Sequence, residues 1–325
     1  MRTGRRRVRG CLGRVLMAIG IVVAVAFAAL GGVLWYTHTH QDLELPPAGQ
    51  TLPTSPPVTS PLGPARYTKT FVQQGLNRRE IEYVLPRDVR PGERLPVVVV
   101  LHGASNSPWL MQSRTGLGQA VVDRRFIGIF PHGVAESWNA GRCCRPAMTL
   151  GIDDESFLDA VVADAARRPE VDPQRIYMVG ESNGGIMTYR YLCDHADRLA
   201  GAASVVGTSL AGCPPNRPVP IIHVAASADE VVPYSGGFTA TARVLSASGF
   251  PPVVESMKRL AAAEHCAPAP RTDTAGPAET MEWTGCRDGS RVELVTVIGA
   301  KHGWPRGEGF DATEAVLDFF GLTKG

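Results

Sequence analysis

Ser182 stands in Gly180-Glu181-Ser182-Asn183-Gly184, between the apolar run Arg175-Ile176-Tyr177-Met178-Val179 and the helix-like stretch that begins at Gly185-Ile186-Met187. A strand, a tight Gly-x-Ser-x-Gly turn and a helix make a nucleophile elbow. The turn is sharp and strained so that the serine hydroxyl stands clear of the backbone. Side chains two residues either side would strike the adjoining strand and helix, which is why glycine is needed at 180 and 184. A serine hydroxyl is a weak nucleophile at neutral pH. It needs a base, an acid that orients the base, and donors for an oxyanion.

In an elbow-type site these partners follow in the order Ser, Asp/Glu, His, each just after a strand. The run Pro220-Ile221-Ile222-His223-Val224 reads as a strand, and Asp229 follows it within a few residues, with Glu230 as its competitor for the acid. The run 292–298 reads as the last strand, and His302 follows in Gly299-Ala300-Lys301-His302-Gly303-Trp304-Pro305. The chain has eight histidines, and only His302 lies where a general base should. His223 falls within a strand and reads as a core residue. The oxyanion donors are expected to be the N–H of Asn183 and, from the loop Leu101-His102-Gly103-Ala104-Ser105, the N–H of Ala104. His102 reads as a side chain that braces that loop.

The elements that must position these groups are legible from about Arg66 onward. The runs 67–72 and 79–84 read as two leading strands that form an antiparallel edge. Pro96-Val97-Val98-Val99-Val100-Leu101 has the unbroken β-branched character of a strand buried on both faces of a parallel sheet. The runs 126–130, 176–179, 202–206, 220–224 and 292–298 repeat it. Helical stretches at 116–124, 155–168, 185–193, 252–264 and 311–320 alternate with them. Strands alternating with helices predict one α/β domain over 66–325, with a mainly parallel central sheet and helices on both faces. Residues 105–115 and 137–150 read as loops that shape the pocket.

Ahead of the domain the texture is different. Residues 1–14 hold Arg2, Arg5, Arg6, Arg7, Arg9 and Arg14, and residues 15–37 carry no charge and end near Trp35 and Tyr36. That run is long enough to span a bilayer, and the arginines put its start on the cytoplasmic side. A retained anchor is the favoured reading and a cleaved signal peptide its rival. Pro46, Pro47, Pro53, Pro56, Pro57, Pro61 and Pro64 make residues 38–65 an extended linker. The net charge is only +2 and the arginines have the anchor to explain them, so nothing points to nucleic acid. Nothing calls for a metal ion or an organic cofactor. Six of the seven cysteines lie in the globular part. An even number outside the cytoplasm points to disulfides, and no zinc-type spacing offers an alternative. Cys266 and Cys286 flank one loop before the last strand and are expected to pair, while the pairing of Cys143, Cys144, Cys193 and Cys213 stays open.

With these pieces assembled, residues from about 79 to 320 resemble the extracellular serine esterases known as polyhydroxybutyrate depolymerases and feruloyl or acetylxylan esterases, including actinobacterial lipoprotein-type members. The likeness is carried by Leu101-His102-Gly103, Ser137-Trp138-Asn139-Ala140-Gly141 with Cys143-Cys144, Asp153-Asp154 and the 180–185 elbow. It continues through Arg217-Pro218-Val219-Pro220, Asp229 with Val232-Pro233-Tyr234, Gly285-Cys286 and His302-Gly303-Trp304-Pro305. The resemblance implies an α/β-hydrolase fold, Ser182 as nucleophile, Asp229 as acid, His302 as base, and Trp138 and Trp304 near the mouth of the site. It implies an ester substrate, of which a polymeric plant polysaccharide ester or a polyhydroxyalkanoate suits a stalked exported domain. The chain departs from the family at Ala225-Ala226-Ser227, where His-Gly-Thr is usual, at Gly299-Ala300-Lys301, and at Ala104. Acyl transfer through the same acyl-enzyme, and non-catalytic surface binding on a hydrolase scaffold, are the alternative functions.

Overall fold

An apolar run without polar interruption satisfies its backbone by pairing on both edges and its side chains by being covered on both faces. In the computed structural model, β3 (Leu95–Leu101) is such a strand and is buried at every residue. Val97, Val99 and Leu101 face one apolar layer, and Val98 and Val100 face the other. Each fully buried valine contributes about 1.5–3 kcal/mol over an exposed one. The structure describes residues 65–74, 77–210, 212–307 and 309–324. The basic segment 1–14, the apolar run 15–37 and the linker through residue 64 lie outside the described residues. Among those described, no helix is long and apolar enough to cross a membrane.

The other strands are β1 (Ala65–Gln74), β2 (Asn77–Pro86), β4 (Ile127–Pro131), β5 (Val171–Glu181), β6 (Gly201–Val205), β7 (Ile221–Ala226), β8 (Arg271–Ala275), β9 (Ala278–Trp283) and β10 (Val292–Val297). The sheet order is β1-β2-β4-β3-β5-β6-β7-β10-β9-β8. Strands β4, β3, β5, β6, β7 and β10 run parallel, while β1 and β2 at one end and β9 and β8 at the other are antiparallel. Helices α1 (Pro108–Thr115), α2 (Leu117–Asp123) and α7 (Ala312–Phe319) cover one face. Helices α3 (Asp154–Arg167), α4 (Asn183–His195) and α6 (Val253–Ala263) cover the other, and the short α5 (Ala240–Leu245) precedes α6.

Two elements differ from the expectation. The stretch read as loop 105–115 contains α1, started by Ser107, whose Oγ accepts from the Leu110 N–H at 3.3 Å, with Pro108 at its first position. The loop expected between Cys266 and Cys286 is the β8–β9 hairpin. Every residue of β8 is exposed, so it has no buried face to write an alternating apolar pattern into the sequence.

One buried ion pair fastens β2 to the start of α3. Arg79 of β2 and Asp154 at the start of α3 lie 2.7 Å apart, with side chains 1% and 0% exposed. Burial pulls the Arg79 guanidinium down and pushes the Asp154 carboxyl up, and each opposes the other's shift. Arg79 also donates to the His132 carbonyl at 2.8 Å and lies over the Phe157 ring. Asp154 accepts from the Asn139 N–H at 2.6 Å, which fixes the loop ahead of α3. Breaking one partner leaves the other charge uncompensated. Asp154→Ala is therefore expected to lower unfolding stability by about 3–5 kcal/mol, read from the midpoint of a urea unfolding curve.

Candidate active site

Ser182 closes the turn between β5 and α4 with φ 52° and ψ −116°, a left-handed conformation that costs a non-glycine residue about 1–3 kcal/mol. Its surroundings hold it there. The Ser182 N–H donates to the Val205 carbonyl of β6 at 2.8 Å, and the Ser182 carbonyl accepts from the Ile186 N–H at 2.9 Å. A Cβ on Gly180 would collide with the Gly184 carbonyl, and one on Gly184 with the Leu101 carbonyl.

His302 lies in the loop after β10, with Nε2 2.9 Å from Ser182 Oγ and Nδ1 2.8 Å from Asp229 Oδ2. The carboxylate makes Nδ1 the protonated nitrogen, so Nε2 is the one free to accept the serine proton. Asp229 is buried, and its other oxygen accepts from the N–H groups of Val231 and Val232, each at 2.8 Å. Glu230, the competitor for this place, is exposed. The loops that carry Asp229 and His302 are bonded to each other. Ser227 Oγ accepts from the Gly299 N–H at 2.8 Å, and the Ala228 N–H donates to the Ala300 carbonyl at 3.0 Å. Ser227 and Gly299 lie in the two stretches that depart from the family pattern, so the departures meet in that hydrogen bond.

The loop after β3 packs directly against the serine: a Cβ on Gly103 would lie 3.5 Å from Ser182 Cβ. The Ser105 N–H is taken by the Glu136 carbonyl at 2.9 Å, so it is not a donor for the site. His102 is buried, which brings its imidazole down to about 4 and keeps it neutral. Its Nδ1–H donates to the Gly103 carbonyl at 2.8 Å and its Nε2 accepts from the Gly133 N–H at 2.9 Å. His223 is a buried strand residue bonded to the Tyr189 hydroxyl at 2.9 Å.

The two tryptophans lie elsewhere than the resemblance implies. Trp138 is 0% exposed, and its indole N–H donates to the His102 carbonyl at 2.9 Å. Its backbone clasps the Asn183 side chain, donating to Oδ1 at 2.7 Å and accepting from Nδ2 at 2.9 Å. Trp304 is 8% exposed and donates to Thr313 Oγ1 at 3.0 Å. Both rings belong to the interior, whereas the resemblance puts them near the mouth of the site. The exposed aromatic close to the oxyanion loop in sequence is Trp109, at 68% exposure.

Sequence reasoning passed over Glu181, whose buried carboxylate is bonded to Arg114 and Asn106. The available signal was a charged residue just after the apolar run 176–179. Disulfides join Cys266 to Cys286, Cys193 to Cys213, and the adjacent Cys143 and Cys144. Among the described residues, Glu80, Glu82 and His132 are grouped closely enough to hold a metal ion. Lys69 already meets that charge, with Nζ 2.6 Å from Glu80 and 3.2 Å from Glu82. Burial works against the Glu82 anion, yet His132, Lys69 and Gln112 hold its carboxyl at about 2.

A serine on this turn, in a parallel α/β sheet of this order, defines a serine hydrolase with the α/β-hydrolase fold. No family model matches the chain. It is 32% identical over 237 residues to "Putative esterase NocK" of Nocardia uniformis subsp. tsuyamanensis, covering 66% of this chain and 67% of that protein. It is 27% identical over 234 residues to Feruloyl esterase B of Piromyces equi, covering 69% of this chain and 42% of that protein, less than half its length. The acetyl xylan esterase of Aspergillus awamori superposes with a TM-score of 0.58 at 15% identity, over 78% of this chain and 99% of that one, a likeness of fold. The chain belongs to the carboxylic ester hydrolase family that includes feruloyl and acetylxylan esterases.

The Asn183 clasp is open to test. Asn183→Ala removes the acceptor of the buried Trp138 N–H and leaves that group without a partner, at about 1–3 kcal/mol, while the Trp138 carbonyl keeps the N–H groups of Ala140 and Cys144. Thermal unfolding is expected to show that loss, while the backbone N–H of residue 183 remains.

Proposed function

We propose that this chain is an extracytoplasmic serine esterase in which Ser182, His302 and Asp229 act as nucleophile, base and orienting acid. The observation that carries the reading is the unbroken hydrogen-bonded line from Ser182 Oγ through both nitrogens of His302 to Asp229, at 2.9 and 2.8 Å. Ser182 Oγ attacks the ester carbonyl carbon while His302 Nε2 takes its proton. Asp229 holds the tautomer and steadies the imidazolium as it forms. The oxyanion is received by the N–H groups of Asn183 and Ala104. His302 returns its proton to the departing alcohol, and a water deprotonated by the same nitrogen then releases the acid.

The relatives' names favour aromatic or acetyl esters of plant polysaccharides as substrates. The exposed Trp109 and Leu110 of α1 offer an apolar surface for such an acyl group. Three disulfides support a location outside the cytoplasm, and the uncharged run 15–37 would carry the domain there as an anchor or a signal.

The test is hydrolysis of p-nitrophenyl acetate, p-nitrophenyl butyrate, methyl ferulate, acetylated xylan and poly-3-hydroxybutyrate by the full chain and by Ser182→Ala. The expected outcome is turnover by the wild type that falls about 10⁴-fold or more in the variant. Equal inertness of both on every ester would overturn the hydrolase reading and bring acyl transfer or surface binding forward.

A further inference from the structure

Two segments that adjoin the site carry arginine and no acid. Residues 137–152 hold Arg142 and Arg145, residues 231–252 hold Arg243, and neither segment has another charged side chain. The nearest acids along the chain, Glu136, Asp153, Glu230 and Glu255, lie outside both. The fold lays the segments together. The Arg145 guanidinium donates to the Val244 carbonyl at 3.0 Å. The Ser246 hydroxyl and the Ala247 N–H both donate to the Arg142 carbonyl, at 3.0 and 2.8 Å. Cys143 and Ser246 pair as an antiparallel bridge. All three arginines are exposed, and among the described residues none of them is ion-paired with a carboxylate.

Apolar side chains stand in water among these charges. Leu150, Phe238 and Val244 are 61%, 54% and 65% exposed. Phe238 is held in place from two sides. Its ring centre lies 5.2 Å from the Arg243 guanidinium carbon, and its edge lies against Gly249, where a Cβ would come within 2.9 Å of it. Exposed apolar groups beside unpaired arginines have the composition of a contact surface. Both segments lead to the site. Trp138 of the first clasps Asn183, and Thr239 of the second donates to the carbonyl of Val231, two residues past Asp229, at 3.2 Å.

We propose that Arg142, Arg145 and Arg243, together with Phe238, form a binding surface for an acidic polysaccharide, one whose sugars carry carboxylate groups. This deepens the polysaccharide-ester reading of the site and rests on it for the kind of polymer. A guanidinium presents a planar fork of donors that matches a carboxylate, which a lysine does not, and the cations here are all arginine. The Phe238 ring offers a flat apolar face to a sugar ring. With no acid in either segment, nothing within them repels an anionic chain. A bilayer fits less well: the helix in this surface, α5, has only 6 residues, too short to lie in a headgroup layer as an amphipathic helix. A polymer held across both segments is held beside Asn183 and the Asp229 loop, which raises the concentration of its esters at Ser182.

The experiment is calorimetric titration of the full chain carrying Ser182→Ala, which separates binding from cleavage. The probes are xylan bearing glucuronic acid side groups, neutral arabinoxylan, and vesicles of anionic phospholipid. The acidic xylan is expected to bind at least about tenfold more tightly than the neutral one, and to weaken at high salt because exposed charges are screened. Arg142→Gln, Arg145→Gln and Arg243→Gln together are expected to lower that affinity about tenfold, as the loss of three exposed pairings implies. The same three positions changed to lysine keep the charge and are expected to retain most of the binding. Should the triple glutamine variant not fold, as judged by its thermal midpoint, Arg142→Gln with Arg243→Gln leaves the Arg145–Val244 contact intact and is expected to lose about half of the effect on a logarithmic scale or more. Equal affinity for both xylans, no binding to either, or glutamine variants that bind as the parent does each overturn the inference. Binding to the vesicles alone, lost in the glutamine variant, gives the surface to a membrane and overturns it too. Failure of this inference and failure of the hydrolase reading are distinguishable. A chain that binds acidic xylan as expected but is inert toward every ester keeps the surface and loses the hydrolase, and one that hydrolyses esters without binding the polymer does the reverse.

Discussion

The site depends on one steric constraint. Ser182 must hold φ 52° at the point where β5 becomes α4, and the backbone of the helix and of β3 presses on both sides of that turn. A strained residue persists only where its neighbours over-determine it. Here the hydrogen bonds from Ser182 to Val205 and from Ile186 to Ser182 fix the turn at both ends. The lack of side chains at 180 and 184 lets the strand, the helix and the oxyanion loop approach closely enough to do so. The parallel sheet supplies the rest of the geometry, because β7 and β10 end on the same edge as β5 and deliver Asp229 and His302 beside it.

Around the turn, polar groups are buried and almost all are spoken for. Asn183 is clasped by the backbone of Trp138, whose ring holds the His102 carbonyl, and His102 bridges Gly103 to Gly133. Behind them, Asp154 holds Asn139 and is itself neutralised by Arg79. These contacts run from β2 to Asn183, the residue after Ser182. Buried hydrogen bonds of this kind are costly to break because each orphaned group has lost its water. They fix the loops around Ser182 to one another, and a preorganised surround is what stabilising a developing oxyanion requires.

The strands of the central sheet were legible because burial on both faces leaves an unbroken apolar run, as in β3 and β7. The helices after them were legible from their spacing, as in α3, where Phe157, Leu158, Val161, Val162 and Ala165 line one face. The outer hairpin β8–β9 and the helix α1 were not, since β8 is exposed throughout and α1 turns Trp109 and Leu110 to solvent. Membership of the esterase family was likewise carried by short motifs spread over most of the domain.

By itself the sequence determined the α/β order of the elements, the tight turn at Ser182 and the places of Asp229 and His302 after later strands. These are local matters of spacing, apolar patterning and the steric need for glycine. Only the tertiary structure decided that Asp229 and not Glu230 meets His302, that Trp138 and Trp304 are buried, and that Glu181 is bonded to Arg114 and Asn106. Adjacent carboxylates look alike in a sequence, and an aromatic residue beside a motif suits a core as well as a binding surface. Burial and distance distinguish them, and both arise only when strands far apart in the chain are brought side by side.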